Sequence, residues 1–150
     1  MKYNELTRRY FEEAAASGAS SAPGALSGPG PSSAPGAVSG PGTLSGPGTF
    51  RGAAGSRAEG TWVQFDMQVA AEARVIVAMR FLAFGCPHVI AVAAWLAEHA
   101  VGRRVEAALP ESVQALRARF EVPVEKLGRL LIVEDAWAAA MRAAASAAAH

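Results

Sequence analysis

Thirty residues, Ala22 to Arg51, limit what this chain can fold into more than any other feature. They run as five hexads, APGALS, GPGPSS, APGAVS, GPGTLS and GPGTFR. Each carries Pro-Gly at its second and third places, and most have an apolar residue at the fifth. Proline removes a backbone donor and glycine favours turns, so neither helix nor strand ladder is expected to persist here. Hexads this poor in large apolar side chains also lack the material to stack a solenoid core. Residues 18–49 therefore read as a disordered, low-complexity insertion with no chemistry of its own.

The remainder, 1–17 and 50–150, is long enough to bury one modest core as a single domain. The chain is 51% hydrophobic, but much of that is alanine, whose methyl group buries little area. Formal net charge is +1 with the basic residues scattered, so there is no electrostatic footprint for nucleic acid. A single cysteine excludes an internal disulfide and suits a reducing compartment. The start, MKYNELTRRYFEE, lacks the apolar run of a signal peptide, and no segment approaches the roughly 18 apolar residues of a membrane helix. These features point to a cytoplasmic protein.

Leu6, Tyr10 and Phe11 recur at helical spacing and predict a short amphipathic helix ending near residues 16–18. TWVQFDMQV, Thr61 to Val69, alternates: Val63, Phe65, Met67 and Val69 on one face, Trp62, Gln64, Asp66 and Gln68 on the other. That is a half-buried strand. Arg74 to Phe84 makes a second, and the short AAEA link between them favours an antiparallel hairpin. Phe50 to Ser56 adds a third strand, weakened by glycine and placed at the edge. Helices follow over 87–101, with Ile90, Ala93, Ala94, Ala97 and Val101 as one buried stripe, then over 111–119 and 130–149. Leu130, Val133, Trp137, Met141 and Ala144 line the core stripe of the last. The expected architecture is α+β, a small antiparallel sheet of about three strands with helices on one face.

The chemistry is sparse. Cys86 in FGCPHVIA precedes a helix opened by Pro87, where the dipole and unsatisfied N–H groups favour a thiolate. Such a sulfur attacks a persulfide or ligates iron or zinc. Equally, a small cysteine fills a strand–helix corner. His88 offers a second ligand to a metal held by Cys86, or is a partly exposed histidine at a helix start. Glu134 and Asp135 are adjacent on a helix and point about 100° apart, so at least one faces solvent. No phosphate loop and no Ser-His-Asp set stands out, and an enzymatic role is not expected.

The order of these pieces resembles the NifU/IscU-type iron–sulfur cluster assembly scaffolds. A Tyr-containing helix (YNELTRRYFE) is followed by a glycine-rich passage (AGSRAEGT) and a strand (WVQFDMQV). Then come a second strand ending in FGC, a helix (PHVIAVAAWLAE), and VPVEKLGRLLIVEDAWAAAM with its Glu-Asp-Ala. The resemblance implies a site of three cysteines and an aspartate around a transient 2Fe–2S cluster or a zinc ion. Carried onto this chain, the FGC cysteine is Cys86. The glycine-rich passage places Glu59 at the second cysteine and Thr61 at the aspartate. The family's His-Cys pair ahead of the last helix falls on Gly128 and Arg129.

One sulfur ligand of three therefore survives, and four thiolates normally hold such a cluster. Either Cys86, His88 and Glu59 form an altered iron or zinc site, or Cys86 only accepts sulfur, or two Cys86 thiolates pool in a homodimer. The resemblance implies a cysteine desulfurase as partner. An Hsp70-type chaperone is implied through VPVEK, which keeps Pro123 and Lys126 of the family's docking motif. The alternative is a degenerate relative that keeps the fold as a protein-interaction module.

Overall fold

The computed structural model describes residues 3–16, 39–44, 46, 48–70, 74–105 and 109–148. In chain order these form helix α1 (Glu5–Ala16), strands β1 (Ser39–Pro41), β2 (Thr49–Ser56), β3 (Thr61–Ala70) and β4 (Val75–Phe84), then α2 (Pro87–Ala100), α3 (Val113–Phe120) and α4 (Leu127–Ala148). A single 3-10 turn, Val124–Lys126, leads into α4. The fold is α+β, as the residue patterns imply. β2, β3 and β4 make the antiparallel sheet, and the sheet order is β1-β4-β3-β2.

The alternation of β3 decides which face is covered. Val63, Phe65, Met67 and Val69 are all buried, and across the ladder Phe65 faces Phe81 while Met67 faces Met79. Helices α2 and α4 lie on this face, with Trp137 of α4 edge-on to Phe65 at 5.9 Å. Fully burying each such side chain is worth about 1.5–3 kcal/mol. The expected α4 stripe of Leu130, Val133, Trp137, Met141 and Ala144 is buried throughout.

A glycine sets how closely α4 can sit. A Cβ on Gly52 of β2 would collide with the backbone nitrogen of Ala140 and lie 2.6 Å from the Ala136 carbonyl oxygen. Helix and strand are thus in near backbone contact, which only glycine opposite alanine permits. The glycine that weakens β2 as an isolated strand is what seats α4.

Two expectations change in three dimensions. α2 is not buried along one stripe but nearly all round, from His88 to Ala93, Trp95 to Ala97, and at Ala100. It is packed between β4 on one side and α1 on the other, so its small residues are needed at most positions. The second change concerns the repeats. β1 lies within residues 18–49, where composition predicts no ladder, and pairs parallel with β4, Ser39 opposite Met79 and Pro41 opposite Phe81. Proline is tolerated there because β1 is an edge strand, with no neighbour awaiting its missing N–H. Residues 18–38, 45 and 47 of the insertion lie outside the described residues.

Candidate functional site

The site is built at the end of the sheet where β4 hands over to α2. Cys86 is the N-cap of α2, with φ −76° and ψ 164°, and Pro87 takes the first helical position. The extended cap conformation lets the Cys86 carbonyl accept from the Val89 and Ile90 amides at 3.0 and 3.2 Å. Pro87 has no N–H, so this helix start offers the sulfur fewer free donors than its position alone suggests. The cysteine is free, half-buried, and packed at the margin of the hydrophobic core.

His88 does not share that environment. It is 1% exposed, where a partly exposed ring was the simpler sequence reading, and its Nδ1 has no hydrogen-bond partner. The Tyr3 ring meets it edge-on at 4.7 Å, and the Lys126 ammonium lies 5.8 Å from the centre of Tyr3. Burial, followed by the charges of Lys126 and Arg129, pushes His88 down to about 4, so the imidazole is neutral at pH 7. Tyr3 was missed as a site residue. Its only signal is its place in the first segment of the family resemblance.

The remaining family positions come to the same end of the molecule through the sheet. The β2–β3 turn is closed by Gly60 N–H donating to Arg57 at 3.0 Å and Glu59 N–H donating to the Ser56 hydroxyl at 3.1 Å. The Gly60 carbonyl oxygen would stand 3.6 Å from a Cβ on Gly85, so this turn lies against the residue preceding Cys86. Glu59 is exposed on the turn, and Thr61 is buried at the start of β3. Gly128 and Arg129 are exposed in the first turn of α4. Pro123 is half-buried ahead of the 3-10 turn that carries Lys126.

Proximity in the fold does not make a ligand set. Among the described residues no three of His, Cys, Asp and Glu are arranged to hold a metal ion. The trio Cys86, His88 and Glu59 is not assembled here: one side chain is half-buried, one buried and one exposed on a turn. Arg129 brings a positive charge to a position where the resemblance implies a thiolate. With one cysteine in the chain, these residues do not fit an ordinary 2Fe–2S cage. Glu134 is half-buried and Asp135 exposed, in keeping with a solvated face. No helix among the described residues is long and apolar enough to cross a membrane.

Comparison with known proteins gives the fold a family. Two solved structures are similar over nearly their whole length. One is described as a putative iron–sulfur cluster assembly scaffold protein for the SUF system, from the thermophile Fervidobacterium islandicum AW-1. It matches with a TM-score of 0.56 at 10% identity, covering 93% of this chain and 96% of that one. The other, described as a hypothetical protein, has a TM-score of 0.53 at 13% identity, covering 93% and 98%. At these identities the likeness speaks for the fold alone. No curated protein sequence matches the chain. The model of the NifU-like N-terminal domain matches residues 39–147, most of the chain and every element from β1 to α4. This chain therefore belongs to the NifU-like N-terminal domain family, the family of the iron–sulfur cluster assembly scaffolds, and keeps one of its cysteines.

Proposed function

We propose that the protein serves iron–sulfur cluster assembly as a single-thiol sulfur carrier rather than as a cluster cage. The observation that carries this reading is the state of Cys86. It is the one thiol of the chain, free and partly accessible at the α2 N-terminus, at the family's FGC position. Accepting sulfur needs one thiolate and no ligand set. The Cys86 sulfur attacks the outer sulfur of a persulfide on a cysteine desulfurase, the donor's S–S bond breaks, and the donor cysteine leaves as a thiolate. The sulfur then rides as a Cys86 persulfide. Family membership is what makes a desulfurase the donor of choice. An Hsp70-type chaperone meeting Pro123 and Lys126 belongs to the same reading, as does iron ligated by Cys86 with partners from outside the chain.

A second reading, a protein-interaction module with a structural Cys86, draws on one observation. Val124 is 68% and Leu131 45% exposed, both close in sequence to Gly128 and Arg129. One experiment separates the two. The purified protein and Cys86→Ser are incubated anaerobically with iron, cysteine and a desulfurase, then examined by intact mass and metal analysis. The carrier reading expects wild type alone to gain one sulfur atom. If both proteins lack sulfur and iron alike, the carrier reading is lost and the module reading stands.

A further inference from the structure

The fourth and fifth hexads, GPGTLS and GPGTFR, obey the same formula, yet their backbones are held by different parts of the sheet. In the fourth, Gly40 and Pro41 pair with Arg80 and Phe81 of β4, and Gly42 N–H donates to the Phe81 carbonyl at 2.9 Å. In the fifth, the Gly48 carbonyl accepts from Val69 N–H at 2.9 Å, and Thr49 to Arg51 begin β2. The two then meet on one side chain. Asp66, 1% exposed on the sheet face away from the helices, accepts from Leu44 N–H of the fourth hexad at 2.9 Å. It also accepts both prongs of the Arg51 guanidinium of the fifth, at 2.8 and 2.9 Å, and Gln64 at 3.3 Å. Nothing in the alternation of β3 assigns Asp66 such work, and a buried carboxylate persists only when paired in this way.

We propose that residues 40–44 and 48–51, from the last two repeats, are a strap folded across the open face and outer edge of the sheet, with Asp66 as its latch. The strap crosses from β1 on the outer edge of β4 to β2 at the opposite edge of the sheet, and Asp66 on β3 lies between them. Between its paired ends the strap depends on the latch: Leu44 lies past the β1–β4 pairing and ahead of the β2–β3 ladder, beside an open cavity of about 190 Å³ lined by Leu44, Thr49, Phe50, Arg51 and Asp66. An uncovered strand edge is a template for pairing with another chain, which gives β4 a reason to keep its cover. The repeats are thereby divided: the last two belong to the domain, and removing the first two leaves the strap in place.

Amide hydrogen exchange tests this on three full-length proteins: wild type, Asp66→Ala, and a deletion of residues 22–33 that removes two repeats. In wild type, Gly42 and Leu44 amides exchange at least tenfold more slowly than in an unstructured peptide. In Asp66→Ala, Leu44 loses that protection while Phe65 and Met67 keep theirs. The deletion leaves both strap amides as in wild type. Unprotected Gly42 and Leu44 in wild type would overturn the strap. Unchanged Leu44 protection in Asp66→Ala, or loss of the core amides with it, would overturn the latch. Loss of strap protection in the deletion would overturn the division of the repeats.

Discussion

Replacing Gly52 by alanine is a test of how α4 is seated, and so of what holds Lys126 and Arg129 near His88. The added Cβ would lie 2.6 Å from the Ala136 oxygen, 0.8 Å inside the 3.4 Å at which ordinary contact begins, and would collide with the Ala140 nitrogen. All of these are backbone atoms, so no rotamer change relieves them. The helix must lift from β2 by about 1 Å, and gaps of that size forfeit a quarter to a half of each dispersion contact. Overpacking of this kind costs about 1–3 kcal/mol or somewhat more. Reduced freedom of the unfolded chain returns about 0.4–1 kcal/mol. With backbone on both sides of the clash the upper end applies, so the expected net loss is about 2 kcal/mol, or roughly 5–8 °C in Tm for a domain of this size. Gly128→Ala is the internal control, since no atom lies within 4 Å of a Cβ there and the site is an exposed helical one. It should stabilise by about 0.5 kcal/mol. Urea denaturation followed by circular dichroism reads both. If Gly52→Ala is as stable as wild type, the close approach of β2 and α4 is wrong.

Two further substitutions probe the titrating groups. His88 stands at about 4 in the folded protein against 6.5 in a free chain. The unfolded chain therefore takes up that proton first as pH falls. The group takes nothing from stability above pH ~6.5 and lowers it progressively on the way down to pH ~4, by on the order of 3 kcal/mol. His88→Phe keeps a ring against Tyr3, removes the unpaired Nδ1, and should flatten this acid limb without lowering stability at pH 7. An acid limb as steep as in wild type would assign it to other groups. Tyr10 donates to Glu98, and burial together with that bond pushes Tyr10 up to about 12. Its contribution is present below pH ~10, where both states are protonated, and is lost as pH rises toward ~12. Ultraviolet titration should resolve the two tyrosines of the chain, one of them near 12. Tyr10→Phe should remove the late step and cost about 1 kcal/mol at neutral pH. A single step for both tyrosines would show that the contact with Glu98 is not made.

Much of the fold is legible in short windows of sequence because its causes are local. The alternation of TWVQFDMQV, the spacing of Leu130, Val133, Trp137, Met141 and Ala144, and the Pro87 helix start each act within one or two turns or a strand length. The near-continuous burial of α2 was not legible. Its sequence is rich in alanine, and whether an alanine faces core or solvent depends on whether α1 packs across it.

The α+β pattern, the family, the one available thiol and the loss of its cysteine neighbours can all be read along the chain. These follow from residue identity and near-neighbour spacing. What surrounds that thiol, and where the repeats end, came from contacts made after the chain folds back on itself. His88, two residues from Cys86, is buried under Tyr3 and kept neutral chiefly by that burial, with Lys126 and Arg129 adding to it. Asp66, one of four residues on its strand face, becomes the meeting point of Leu44 and Arg51. Both outcomes depend on desolvation and on partners 15 or more residues away. A burial cost and the contact that offsets it exist only once the chain has closed.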